Sequence, residues 1–257
     1  MLRLVYLGTG AAVPSPGRDN TCLALDDGEE ITLIDASGSP LKRLADASLP
    51  PERLARVIIT HRHLDHTFGL PSLLQGLWLA GRRAPLPVYA EPETWEFLDR
   101  LIDVFRPSSW TDAFVIEHRL ITAGESFVTT PTASFRAGRG EHSVASVGLR
   151  VETDRTTLVY SSDTSPCLSI VELARDADLL VHESTFQAGS EDAALRLGHS
   201  SALQAAQVAT EAGVRRLTLI HYTPGADGDL GRLRAGAAAA FAGRIDVPSD
   251  LESTTLD

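Results

Sequence analysis

Four short apolar runs in this chain each stop at a residue that can bind a metal or carry a proton. Val57-Ile58-Ile59-Thr60 ends at His61, and Leu158-Val159-Tyr160-Ser161-Ser162 ends at Asp163. Leu179-Leu180-Val181 ends at His182-Glu183, and Leu217-Thr218-Leu219-Ile220 ends at His221. Runs this short, apolar and bounded read as buried strands. A cluster of imidazoles and carboxylates does not belong in a strand interior, but it can occupy the loop that leaves one. Ligands of open α/β sheets bind beyond the carboxyl ends of the strands, so these tips are expected to converge on one crevice.

The stretches between the runs read as helices and further strands. Leu70, Leu73, Leu74 and Leu77 follow the i, i+3, i+4, i+7 spacing of a helix over 70–79. Pro40–Ala47, Pro92–Phe105, Leu168–Ala174, Ser201–Ala212 and Leu230–Phe241 are the other predicted helices, with Ser201 and Gln204 at capping-box spacing. Leu2–Leu7, Thr21–Leu25, Ile31–Ile34 and Leu86–Ala90 read as strands, 115–151 as a series of short β segments, and Arg244–Val247 as a last strand. Across 257 residues there is no linker, repeat or low-complexity segment, so residues 1–257 are expected to form a single α/β domain.

No run approaches the roughly eighteen apolar residues that a membrane span requires. The first strand is too short for a signal-peptide core, which favours the cytoplasm. Cys22 and Cys167 lie far apart with no CxxC spacing and are expected to be reduced and buried. The net charge of −11 lacks the basic excess usual in nucleic-acid binders.

The densest chemistry is His61-Arg62-His63-Leu64-Asp65-His66. Adding His142, Asp163 and His221 gives five imidazoles and two carboxylates, too many for one tetrahedral ion and suited to two ions that share a carboxylate. Donors of this kind without thiolate fit zinc, and also manganese or iron.

Thr60-His61-Arg62-His63-Leu64-Asp65-His66, followed by single His, Asp and His residues, resembles the metallo-β-lactamase superfamily. Further motifs resemble ribonuclease Z and related phosphodiesterases within it: 7–14 (LGTGAAVP), Ser162-Asp163-Thr164, 181–186 (VHESTF) and Gly198-His199-Ser200. The resemblance runs from the first residue past His221. It implies a four-layer αββα fold, two mixed sheets packed face to face with helices outside. It implies that His61, His63, His142 and Asp163 hold one divalent ion, and that Asp65, His66, His221 and the shared Asp163 hold a second. A hydroxide between the ions would be the nucleophile, oriented by Asp65. His199 would be the general acid, with Glu183 holding its ring. A carboxylate there would offset the helix dipole beyond His199, which disfavours a protonated imidazole. Asp35 would steady a ligand histidine from behind. Relatives of this kind also imply a homodimer.

The chain departs from ribonuclease Z in two places. Only 143–162 separate His142 from Asp163, and two predicted strands around Thr153-Asp154-Arg155 use them up, leaving no room for the arm that grips tRNA. His221 leads into Tyr222-Thr223-Pro224-Gly225 in place of the family's Ser-x-Arg-Tyr. tRNA is therefore doubtful, and a small or cyclic phosphodiester or a short RNA 3′ end is the favoured substrate. Lactone, thioester or sulfate-ester hydrolysis would use the same metal centre. A non-catalytic metal- or nucleotide-binding protein is the reading from another class. Arg82, Arg83, Arg136 and Arg139 are the cations available to a phosphate, although each reads first as solvated surface charge. His182 and His118 read as structural, and Gly8 and Gly10 read first as turn glycines and second as a close approach to the site.

Overall fold

The computed structural model describes residues 2–222 and 230–256, so the Thr223-Pro224-Gly225 departure lies outside the described residues. Two compact units emerge. One is built from Met1–Gly8, Pro16–Ile121 and Ser249–Asp257, the other from Thr9–Ser15 and Thr122–Pro248.

In the first unit the order is β1 (Leu2–Gly8), β2 (Cys22–Asp26), β3 (Ile31–Ile34), α1 (Pro40–Asp46), β4 (Leu54–Ile58), α2 (Leu64–Thr67), α3 (Leu70–Leu79), β5 (Leu86–Ala90), α4 (Pro92–Phe105) and β6 (Ile116–Leu120). Every residue of β2 and β3 is buried, as expected of strands covered on both faces. The leucine stripe of α3 is buried as its spacing predicts, in a core with Val5, Leu33, Val57 and Val88. Fully burying one such leucine contributes about 1.5–3 kcal/mol.

The second unit runs β7 (Ser126–Thr129), β8 (Ser134–Gly140), β9 (Ser146–Glu152), β10 (Thr157–Tyr160), α5 (Leu168–Ala174), β11 (Leu179–Glu183), α6 (Glu191–Arg196), α7 (Ala202–Glu211), β12 (Arg216–Ile220), α8 (Leu230–Ala238) and β13 (Arg244–Asp246). Its own core joins Val159, Ile170, Leu180 and Leu219 to the alanines of α7. The last strand, β14 (Ser253–Leu256), returns to the first sheet and pairs antiparallel with β1.

The two seven-stranded sheets share one pattern of strand directions, although the edge strand of the first comes from the end of the chain. The first is ordered β14-β1-β2-β3-β4-β5-β6 and the second β7-β8-β9-β10-β11-β12-β13. In each, the first three neighbouring pairs are antiparallel and the last three parallel. β3 thus corresponds to β10, β4 to β11 and β5 to β12. Among non-glycine residues, Asp35 beyond β3, Ser162 beyond β10 and His221 beyond β12 all take positive φ, at 62°, 55° and 60°. Such strained backbone concentrates at functional sites.

Several boundaries differ from the sequence reading. β4 stops at Ile58: Ile59 N–H still donates to the Tyr89 carbonyl of β5, but Thr60 N–H turns to the Asp35 side chain. β11 extends through His182 and Glu183, because both pair with β12. α6 and β14 were not foreseen, since both are short and carry no apolar period. Gly8 is not a turn glycine: a Cβ there would collide with the Asn20 carbonyl, so it is needed for close backbone approach. Cys22 is buried and free, and burial together with Asp35 pushes its thiol up to about 12. Cys167 is also free but only half-buried.

The segment 143–162 is occupied as expected. β9 and β10 form an antiparallel hairpin whose turn is closed by Thr153 N–H donating to the Thr156 carbonyl at 2.9 Å. Among the described residues there is no protruding arm between His142 and Asp163.

The predicted cap of α7 is present in full. Gln204 N–H donates to Ser201 Oγ at 3.2 Å, and Ser201 N–H donates to Gln204 Oε1 at 2.9 Å. Ser201→Ala should lower unfolding free energy by about 1 kcal/mol in a urea titration. An unchanged midpoint would show that the cap contributes nothing.

Candidate metal centre

Four of the seven predicted donors belong to the first unit. Beyond β4 the chain passes through Thr60 and His61 into the single turn of α2, which carries Asp65 and His66. His61 and His66 are fully buried, while His63 and Asp65 are half-buried. The His61 ring lies 4.1 Å from that of His66 and 4.9 Å from that of His63, centroid to centroid. Asp65 Oδ2 is 3.5 Å from His66 Nε2. Arg62 turns aside to Glu93 at 2.9 Å, and Leu64 is exposed.

Asp35 holds this group in place. It is fully buried, and its Oδ1 accepts Thr60 N–H at 2.8 Å. Its Oδ2 accepts His66 Nδ1–H at 2.8 Å. Thr60 Oγ1 donates to the same carboxylate at 3.0 Å and lies 3.1 Å from His61 Nδ1. Both rings are therefore fixed at Nδ1, and Nε2 remains as the donor atom.

The remaining predicted residues belong to the second unit. His142 follows β8, and its Nδ1–H donates to the Gly198 carbonyl at 2.6 Å. Gly198 has φ of 75°, and a Cβ there would press on the His142 ring. Asp163 is buried beyond β10, with Oδ2 3.3 Å from Nε2 of the buried His221. His221 is held from behind by Thr185 Oγ1, 2.8 Å from its Nδ1. Burial pulls His142 below the usual histidine range, against the opposing pull of Asp163. Burial thus acts toward the neutral form that a ligand imidazole needs.

Glu183 is fully buried at the end of β11 with both oxygens engaged. Oε1 accepts His199 Nδ1–H at 2.8 Å and Thr164 N–H at 3.0 Å. Oε2 accepts Thr185 N–H at 3.1 Å and Thr185 Oγ1–H at 2.7 Å. Burial by itself would raise this carboxyl, but the bond to His199 and its charge hold it below the ordinary glutamate range. Ligand atoms of Glu183, His199 and His221 lie within 4.8 Å of one another. The donors already on Glu183 make that trio a hydrogen-bonded group and not a cradle for an ion. The predicted His199–Glu183 pair is therefore present, with the His199 side chain 17% exposed.

Thr60, Thr185 and Thr164 were missed by the sequence reading. The available signal was position: Thr60 and Thr185 each sit within two residues of a predicted functional side chain. His182 is buried, and burial keeps its pKa low. His118 stacks on Trp95, so both histidines are structural as expected. Arg82 donates to the carbonyls of Leu54, Ala84 and Pro85, which makes it a loop fastener and not a phosphate ligand. Arg136 and Arg139 are exposed on β8.

The donor chemistry fits divalent metal. Four of the imidazoles, His61, His66, His142 and His221, are anchored at Nδ1 by a protein group and keep Nε2 for an ion. The carboxylates Asp65 and Asp163 approach imidazole nitrogens in the same way.

Comparison with known proteins agrees with these features. The family described as "Beta-lactamase superfamily domain" matches residues 32–222. Ribonuclease Z of Methanothermobacter thermautotrophicus is 34% identical over 267 aligned positions, covering 87% of each chain. That span exceeds this whole chain of 257 residues, so the archaeal protein carries insertions relative to it. Human tRNase Z, short form, superposes with a TM-score of 0.81 at 25% identity over 99% of both chains. The metallo-β-lactamase fold protein YhfI of Bacillus subtilis superposes at 0.86 over 98% of both, and at 22% identity it speaks to the fold alone. With its two mixed sheets, its anchored imidazoles and these relatives, the chain belongs to the beta-lactamase superfamily and is, within it, a ribonuclease Z-like hydrolase.

Proposed function

We propose that this protein is a dinuclear phosphodiesterase whose substrate is a small or cyclic phosphodiester or a short RNA 3′ end. His61, His63, His142 and Asp163 would hold one ion, and Asp65, His66, His221 and Asp163 the other, with zinc the best match to the donors. When bound, the ions supply Lewis acidity and a water acidic enough to attack at neutral pH. The chain's own part is to position and to move a proton. Asp65 orients the attacking water, and His199 gives a proton to the leaving oxygen while Glu183 keeps its ring in place.

The observation that carries this reading is the Glu183–His199 pair. A buried carboxylate spends one oxygen on orienting a partly exposed imidazole, an arrangement suited to a general acid that protonates a poor leaving group. The hairpin where an arm would stand, together with the acidic balance, favours small substrates over tRNA. A homodimer and a cytoplasmic location belong to the same reading. The two free thiols support the location, and among the described residues no helix is long and apolar enough to cross a membrane.

A panel of cyclic and linear dinucleotides, a short RNA, a lactone and a thioester, assayed after zinc and then manganese reconstitution, tests this. Phosphodiester turnover that disappears with chelator and returns with metal is the expected result. A metal-loaded protein that hydrolyses only the lactone or thioester overturns the substrate class. One that binds a nucleotide tightly without turnover overturns catalysis itself.

A further inference from the structure

Thr185 lies where three functional side chains of the second unit meet. Its Oγ1 is 2.7 Å from Glu183 Oε2, 2.8 Å from His221 Nδ1 and 3.2 Å from His199 Nδ1. A hydroxyl has one proton, and an ionised carboxylate can only accept. The proton therefore points to Glu183, and the lone pairs of Oγ1 face the two rings. His221 must then carry its hydrogen on Nδ1 in order to donate. His199 does the same, because its Nδ1 also meets Glu183 Oε1 at 2.8 Å. With the hydrogen on Nδ1, Nε2 is the donor atom of His221, and it is this atom that lies 3.3 Å from Asp163.

The first unit contains the same device. The Asp35 carboxylate accepts from His66 directly and from the Thr60 hydroxyl, which in turn meets His61 Nδ1. Asp35 lies just beyond β3 and Thr60 two residues beyond β4, while Glu183 closes β11 with Thr185 two residues on. In each unit one buried carboxylate orients one imidazole directly and a second through a threonine.

We propose that Thr185 is a positioning residue whose hydroxyl relays the Glu183 carboxylate to His221, fixing which nitrogen His221 offers to metal and tying that ligand to the His199 pair. The assignment rests on reading His221 as a metal ligand. Valine matches threonine in size but cannot relay, and serine can. Loss of a group that orients a ligand histidine costs about 10–100-fold in metal affinity. Thr185→Val should therefore weaken zinc binding by about that factor at one site only, measured by competition with a chromophoric chelator, and Thr185→Ser should restore most of it.

Nitrogen-15 shifts of the His221 ring in metal-free protein read the proton placement directly. The wild type should hold hydrogen on Nδ1, and Thr185→Val should give a mixture of the two tautomers. Wild-type zinc affinity in Thr185→Val overturns the relay. So does a wild-type His221 ring carrying its hydrogen on Nε2, a result that needs no variant to fold. If the wild type shows the expected tautomer but cleaves no phosphodiester, the relay stands and the functional reading falls.

Discussion

With His199 replaced by alanine, turnover of a diester with an alcohol leaving group should fall by about 10²–10⁴-fold, the usual contribution of a positioned proton donor. Zinc affinity should hardly change, because the ring is engaged with Glu183 through Nδ1 and belongs to neither proposed ligand set. The discriminating measurement is the dependence on leaving group. Nitrophenolate departs with little help, so His199→Ala should cost far less on bis(p-nitrophenyl) phosphate than on a dinucleotide. Equal losses on both substrates would mean that His199 binds the phosphoryl group and does not protonate the leaving oxygen. No loss on either would leave the Glu183–His199 pair a structural feature. Glu183→Gln should lower turnover in the same way and also weaken zinc binding, since an amide turns its NH2 toward donors that the carboxylate accepts from and does not balance the charge of a protonated ring.

How much of this could be read in the residues depends on distance along the chain. The His61–His66 cluster was legible because its donors are contiguous and follow an apolar run. Asp163, Glu183 and His221 were legible because each closes an apolar run of its own. The helices α3, α4 and α5 match their expected bounds, since their period or their terminal proline marks them. The shared pattern of strand directions in the two sheets was not legible, because strand order depends on pairings between distant segments. β14 was missed for a related reason: four residues acquire strand character only by pairing with β1, some 250 positions away. The positive φ values at Asp35, Ser162 and His221 escaped as well, since none of the three is glycine. The threonine relays were the most informative omission. A threonine beside a histidine is common in any sequence, and only the carboxylate brought up by a separate strand gives it a role.

Asp35→Ala should produce the largest loss of stability of any single change near the site. Asp35 is fully buried and serves Thr60 N–H, Thr60 Oγ1 and His66 Nδ1 at once. Truncation would leave at least two buried donors without an acceptor, at about 1–3 kcal/mol each. Alanine would also have to adopt the positive φ of 62°, which an L residue without a polar side chain takes at a further cost of about 1–2 kcal/mol. A loss of about 3 kcal/mol or more in urea is therefore expected, together with zinc affinity lower by about 10–100-fold as both His61 and His66 lose their orienting group. The unfolding measurement has to be made in chelator. With metal present, weaker binding would lower apparent stability by mass action and the two effects would merge. Asp35→Asn separates the remaining contributions. It tolerates the left-handed backbone and keeps one acceptor oxygen, but it turns an amide toward a donor, so its stability should fall between wild type and alanine. If metal-free Asp35→Ala unfolds within about 1 kcal/mol of wild type, inside the ordinary range for a single substitution, water has replaced the carboxylate and Asp35 is not the anchor of the first group of ligands.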